Sequence, residues 1–280
     1  MAKQRNVAKQ RKLFCEIHPF FYYLSGQKQI LSRTLTNFKQ KKSFASLKSP
    51  TPLPCLIYKV SSKLIKTGPG VDPVLQYNKA DNIRLASKKI DGIIIRPNEE
   101  FSWWHLVGKT NRKNGYKKGR VIEQGKVIGG YGGGLCNLAN TINLLILHSP
   151  LIISEFHMHT DALSPDMGKR VPLANGTSIM YNYLDYRFIN TTNQDFQLKL
   201  YLDDTYSYGE LRAQRALDYH YNIIEEDLHY KQVDGKYYRK SMIYKLTLDK
   251  NDTVIAKDLI VKNNSEVMFD YNLIPKEEIR

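Results

Sequence analysis

The stretch Gly129-Gly130-Tyr131-Gly132-Gly133-Gly134-Leu135-Cys136-Asn137 sets five glycines in nine residues, and an apolar run from Leu138 to Leu147 follows at once. A run of that length, ended by Pro150, reads as a helix. The glycines before it allow backbone dihedrals that other residues avoid and let a second backbone or a substrate come close. The pattern matches neither Gly-x-Gly-x-x-Gly nor Gly-x-x-x-x-Gly-Lys-Ser/Thr, so a phosphate loop is set aside. Shortly afterwards comes Glu155-Phe156-His157-Met158-His159-Thr160-Asp161. A glycine loop, a cysteine at a helix start and a histidine pair mark a candidate site.

Two uses of Cys136 follow from this placement. The free N–H groups and dipole of a helix starting near Cys136 would lower the thiol pKa, as a catalytic nucleophile requires. The other use is a structural cysteine buried behind a tight turn. Along the predicted helix Asn137, Asn140, Thr141 and His148 share a face opposite Leu138, Ile142 and Leu145, which suits either a groove lining or a solvated face. Ile152 to Asp161 reads as a strand with Glu155, His157, His159 and Asp161 on one face. There a histidine could serve as general base for Cys136, the His-x-His pair with Asp161 or Glu155 could bind a divalent metal, or the histidines could hydrogen-bond at a strand edge. The base is preferred; no metal and no cofactor is expected.

The net charge of +15 sits mainly in one place. Residues 1–50 hold eleven Lys and Arg against one acid, Glu16. That arm calls for an anionic neighbour, a membrane surface in preference to nucleic acid, for which charge is the sole argument. Cys15, Cys55 and Cys136 are too few and too scattered for a disulfide framework or a Cys-x-x-Cys metal site. Residues 13–24 are interrupted by Glu16, His18 and Pro19, so they do not read as a secretory signal, and no stretch is apolar enough to span a membrane. The expectation is a cytoplasmic protein, peripheral to the membrane through its arm. Oligomeric state is not legible.

The expected class is α+β, in three parts. Residues 1–56 form a basic, partly helical arm and linker: 1–12 disordered, Leu13–Phe38 one or two helices with a break near Gly26, and 39–56 a Pro-rich linker or long loop. Residues 57–192 form a mixed central domain, with a helix over Asn78–Ile90, a buried strand at Gly92–Ile95 and turns up to the glycine loop. Residues 193–280 form a mainly antiparallel β extension: a half-buried strand over Phe196–Leu202, then from Tyr219 on a meander with turns at Asp234-Gly235, Lys250-Asn251-Asp252 and Lys262-Asn263-Asn264.

Three motifs in order, Pro97-Asn98-Glu99-Glu100-Phe101-Ser102, Gly132-Gly133-Gly134-Leu135-Cys136-Asn137 and Glu155-Phe156-His157-Met158-His159, resemble the VanW family signature. The usual forms are Pro-Gly-Glu-x-Phe-Ser, Gly-Gly-Gly-x-Cys-Gln and Glu-Arg-His-x-His, so Asn98, Asn137 and Phe156 depart from them. The resemblance covers roughly residues 70–192. Some VanW-domain proteins are assigned as L,D-transpeptidases of peptidoglycan with the family cysteine as nucleophile. It therefore implies that Cys136 attacks a stem-peptide carbonyl with His157 or His159 as base. Backbone N–H groups near Gly134 would hold the oxyanion, and Gly132, Gly133, Gly134, Asn137, Asn140, Thr141 and Glu155 would contact substrate. A non-catalytic accessory protein that binds a cell-wall glycopeptide is the alternative.

Overall fold

Helix α1 (Pro19–Lys39) opens with His18, whose Nδ1 accepts the Phe20 N–H at 3.1 Å, and with proline in the first turn, where a missing N–H costs nothing. The helix runs straight through Gly26, without the break expected there, since one glycine costs only about 1 kcal/mol against alanine. Phe20, Leu24, Leu31, Leu35 and Phe38 recur at helical spacing and are exposed. The computed structural model describes residues 17–40, 42–66, 72–123, 126–162, 165, 171–173, 176–181 and 183–280, with backbone alone at Pro19, 122, 123, 126 and 127. Residues 1–12, expected to be disordered, and Cys15 lie outside them. The chain divides into two units, Met1–Lys42 and Ser43–Arg280. Among the described residues no helix is long and apolar enough to cross a membrane.

The second unit is α+β. Its elements are β1 (Cys55–Lys63), α2 (Pro73–Ile90), β2 (Ile94–Ile95), β3 (Glu100–Ser102), α3 (Trp103–Val107), β4 (Lys118–Glu123), β5 (Lys126–Tyr131) and α4 (Leu135–Leu147). Then follow β6 (Ile152–Glu155), β7 (Asp161–Ala162), β8 (Arg187–Ile189), β9 (Phe196–Leu202), β10 (Tyr206–Ala213), β11 (His220–Val233), β12 (Lys236–Leu248) and β13 (Val254–Val267). The sheets have orders β1-β10-β9-β2, β3-β8-β6, β4-β5 and β11-β12-β13-β7. Among the strands of the described residues β13 and β7 pair in parallel and the other pairs are antiparallel.

Helix α4 is the centre of the core. Leu138, Ala139, Ile142, Leu145 and Ile146 are fully buried and join Ile83 and Ile90 of α2, Phe101, Trp103, Phe188, Leu198 and Leu211. On β10 buried and half-buried residues alternate, as they do when one sheet face lies on a core. Helix α2 starts at an Asp72 cap, whose Oδ1 accepts the Val74 N–H at 2.8 Å, and ends at Asp91, whose Oδ1 accepts the Leu200 N–H at 2.8 Å. That end bond ties the helix to β9.

Residues 43–280 form one unit. Residues 43–49 are a loop tied to the fold: the Ala45, Ser49 and Ile94 N–H groups bond to the Glu100, Gly92 and Leu47 carbonyls. Strands β9 and β10 complete the sheet of β1 and β2, and the meander β11-β12-β13 begins at His220, beside the expected Tyr219. Asp234 and Gly235 both have positive φ, as a tight hairpin turn needs. Lys262-Asn263-Asn264 is not a turn but lies inside β13. There buried Asn263 accepts the Ser265 hydroxyl at 2.6 Å and donates to the Arg239 carbonyl, so hydrogen bonds within the sheet override its turn preference.

Candidate active site

Cys136 lies in the first turn of α4, which begins at Leu135 behind Gly134. The loop before it needs its glycines for two different reasons. A Cβ on Gly133 would overlap the Gly119 carbonyl of β4, so two backbones meet there. Gly134 has φ +94°, and a Cβ on it would overlap Lys79 Cγ of α2 and stand 2.8 Å from Lys79 Cβ. Buried Asn82 fixes the loop from α2: its amide donates to the Gly133 and Lys117 carbonyls at 3.0 Å each and accepts the Lys117 N–H at 2.8 Å.

The polar stripe of α4 is turned largely inward, with Asn140 and Thr141 buried and Asn137 and His148 half-buried. Leu135 and Leu138–Leu147 are buried, and each stripe residue is engaged within the fold. The Asn137 amide donates to Ser62 of β1 at 3.0 Å. Thr141 donates to the Asn137 carbonyl at 3.1 Å, and His148 stacks on Tyr58 with ring centroids 3.8 Å apart. Asn140 is the most consequential, because its Oδ1 accepts the Thr177 N–H at 2.8 Å and so pins residues 176–179 against the helix.

That pinned segment reaches the thiol. The backbone N–H of Ile179 and that of Cys136 itself point at the sulfur and stabilise a thiolate, yet burial outweighs them and pushes the thiol above its ordinary pKa. The helix start is where the sequence placed it, but the lowered pKa expected there is overridden by desolvation.

The histidines sit on the neighbouring segment. Strand β6 shifts register on β8 between Ile153 and Glu155, and the chain then turns to pair with residues 176–178. The Ser178 N–H bonds to the His157 carbonyl at 2.7 Å and the His159 N–H to the Gly176 carbonyl at 2.6 Å. His157 thus lies across from Ser178, the residue before Ile179. The groups that shift the Cys136 thiol are burial and those two N–H groups; neither histidine is among them. Burial lowers the His159 pKa against the opposing pull of Asp161, which keeps that ring neutral near pH 7.

His157 Nε2 lies 2.9 Å from Glu155 Oε1, which also accepts the Asp185 N–H at 2.9 Å. The guanidinium of Arg187 is 3.6 Å from Glu155 Oε2 and 2.7 Å from Asp185 Oδ2. Fully buried Asp185 also accepts the Ser102 hydroxyl at 2.6 Å and the Trp104 and Tyr186 N–H groups. The first motif therefore buttresses the third, through Ser102 and through Glu100, which accepts the Ser154 hydroxyl at 2.6 Å. Where the family arginine would stand, Phe156 packs on Tyr186, and Arg187 supplies the cation beside Glu155 from β8. Asn98 stands at φ +65°, the left-handed conformation that asparagine tolerates best after glycine.

Sequence reasoning missed Asp185, Arg187, Ile179, Asn82 and Lys79, all placed by strand pairing or helix packing rather than by motif. Lys79 alone carried a local signal, as a cation among the inward-facing positions of α2, one turn before Ile83. Among the described residues no three of His, Cys, Asp and Glu converge as metal ligands, and Cys55 and Cys136 are free thiols.

Residues 78–212 match the family model described as VanW like protein. The match begins within α2 and ends within β10, so it contains the glycine loop, Cys136, both histidines and Arg187. Over 194 residues the chain is 28% identical to the vancomycin B-type resistance protein VanW of Enterococcus faecalis, covering 69% of this chain and 70% of that one. Over 122 residues it is 30% identical to the uncharacterized protein YoaR of Bacillus subtilis, covering 44% of this chain and 39% of that one. No solved structure matches. With the three motifs in order on one core, residues 78–212 form a VanW-like region.

Proposed function

We propose that the protein is a cysteine acyltransferase of the L,D-transpeptidase type, acting on peptidoglycan stem peptides or their precursors. The observation that carries the reading is the setting of Cys136, in the first turn of α4 with the Ile179 and Cys136 N–H groups converging on its sulfur. Donors fixed around the sulfur stabilise its thiolate and lie beside the carbon whose oxyanion forms two bonds from that sulfur. In the reaction the thiol proton passes to an imidazole, His157 or His159, and sulfur adds to a peptide carbonyl. The C–N bond then breaks, the leaving amine takes the proton, and an acceptor amine resolves the thioester. Glu155, held by Arg187 and the Asp185 N–H, orients His157 for that exchange. The resistance name of the Enterococcus faecalis relative supports a cell-wall substrate.

The test is mass spectrometry of the intact protein after incubation with a stem tetrapeptide donor. An adduct of the acyl mass on Cys136, absent from Cys136→Ala, is the expected result; an unmodified Cys136 under conditions where the peptide binds would refute the acyl-transfer reading. A second reading, a non-catalytic cell-wall binding protein, is favoured by the raised thiol pKa and the absence of a histidine among the groups acting on the sulfur. Binding without adduct is its signature. On either reading the basic segment 1–50, with the exposed apolar stripe of α1, would dock on an anionic membrane. Co-sedimentation with anionic vesicles checks this, and equal recovery with neutral vesicles counts against it.

A further inference from the structure

Three cations meet the glycine loop without a counter-ion. Lys79 of α2 is only 6% exposed, with its stem laid against Gly134. Arg120 of β4 follows Gly119, whose carbonyl touches Gly133, so its backbone lies beside the same loop. Lys66 follows the end of β1, where its N–H bonds to buried Gln76 Oε1, one turn before Lys79 on α2. The charges of Lys66 and Arg120 both act on the Lys79 amine. Several other cations of this unit are paired, such as Lys117 with Asp81, Lys199 with Asp91 and Arg212 with Glu210. Among the described residues no carboxylate, ring or hydrogen-bond acceptor engages the side chain of Lys66, Lys79 or Arg120. Like charges brought together in a partly desolvated place repel one another unless an anion joins them.

We propose that Lys66, Lys79 and Arg120 form an oxyanion-binding subsite beside the glycine loop, which takes a carboxylate or phosphate group of the molecule presented to Cys136. This rests on the acyl-transfer reading for the identity of that molecule, and on the unpaired cations for the chemistry of the group. The subsite comes from three elements, the exit of β1, α2 and β4, and meets the loop on the residue before α4 begins. It would hold the anionic end of a substrate while the reacting carbonyl lies at the helix start. The Lys79 amine, lowered to about 8 by burial and by its two cationic neighbours, gains a proton more firmly once an anion arrives. Anion binding therefore weakens as pH rises through that value.

The experiment is isothermal titration of the full chain, native and Cys136→Ala, with three probes. These are a stem tetrapeptide with free carboxylates, the same peptide with every carboxylate amidated, and inorganic pyrophosphate. The expected result is saturable binding of the acidic peptide or of pyrophosphate, at least tenfold weaker in Lys79→Met and in Arg120→Met. Lys79→Met keeps the stem against Gly134 and removes a buried charge, so it folds, and far-ultraviolet circular dichroism verifies this. Stronger binding of the acidic peptide assigns a carboxylate, and stronger binding of pyrophosphate assigns the phosphate of a lipid-linked precursor. Equal affinity of Lys79→Met and native protein, equal affinity for the amidated peptide together with no binding of pyrophosphate, or no binding of either anion overturns the subsite. Failure of the acyl-transfer reading looks different: the anion binds with the same dependence on Lys79, but no adduct forms on Cys136.

Discussion

Gly134→Ala probes the joint on which the candidate site depends. Two costs add. A non-glycine residue at φ +94° lies outside the comfortable left-handed region and loses about 1–2 kcal/mol. The new methyl also overlaps Lys79 Cγ and stands 2.8 Å and 2.9 Å from Lys79 Cβ and Cδ, and overpacking of this kind costs about 1–3 kcal/mol. Together they come to about 3 kcal/mol, a fall in Tm of about 6–12 °C for a domain of this size. The two costs separate in a double-mutant cycle. Lys79→Ala removes Cγ and Cδ but leaves the 2.8 Å approach to Cβ and the backbone strain, so in that background Gly134→Ala should cost less, about 2 kcal/mol. Urea denaturation of the four proteins, compared at constant m-value, measures the difference. Equal penalties in both backgrounds, within about 0.5 kcal/mol, would show that Lys79 does not press on the loop and would remove the geometry from which the anion subsite is argued.

Three further outcomes follow from the buried charges. Arg187→Met strands the Asp185 carboxylate, whose side chain is fully buried, and should cost about 3–5 kcal/mol in urea melts. Adding Asp185→Asn should return part of that loss, and a single-mutant cost below about 1 kcal/mol would mean that the pair is not load-sharing. In protein whose only thiol is Cys136, iodoacetamide should react more slowly at pH 7.5 than with glutathione, because burial holds the thiol protonated; faster reaction than glutathione refutes that. Burial lowers His105, His148 and His159, and holds Lys79 and Lys245 at about 8. In each case the unfolded chain binds more protons over the interval between the folded and unfolded values, so stability rises with pH there. Tm should therefore climb as pH rises toward about 6.5 while the histidine contribution is gained, and again from about 8 toward 10.5 as the lysine contribution is gained. A profile flat across both windows contradicts the assigned burial.

What the sequence made legible was local. Leu138–Leu147 had to be a helix, the meander announced itself through Asp234-Gly235, and Cys136 could be placed at a helix start because glycines and an apolar run are short-range signals. Misreadings came where a residue's partner lies far away along the chain. Asn140 and Thr141 look like part of a groove lining or a solvated face in helical projection, yet both are buried in the fold, and Asn140 bonds to Thr177. Gly26 and Asn263 carry breaker and turn preferences that helix continuity and the β12–β13 ladder override.

The third motif shows best why motif and mechanism part company. Read alone, Glu155-Phe156-His157 has lost the cation expected beside its glutamate. In the fold that cation comes from Arg187, aligned with Glu155 by the pairing of β6 and β8, and anchored by Asp185 to Ser102 of the first motif. The charge beside Glu155 is therefore present, though at a position that no inspection of residues 155–159 would find. This predicts a reciprocal dependence. Phe156→Arg should not rescue Arg187→Met, because the Phe156 side chain packs into the core against Tyr186 rather than toward Glu155. Recovery of stability in that double mutant, read by the same urea melts, would place residue 156 on the Glu155 side after all.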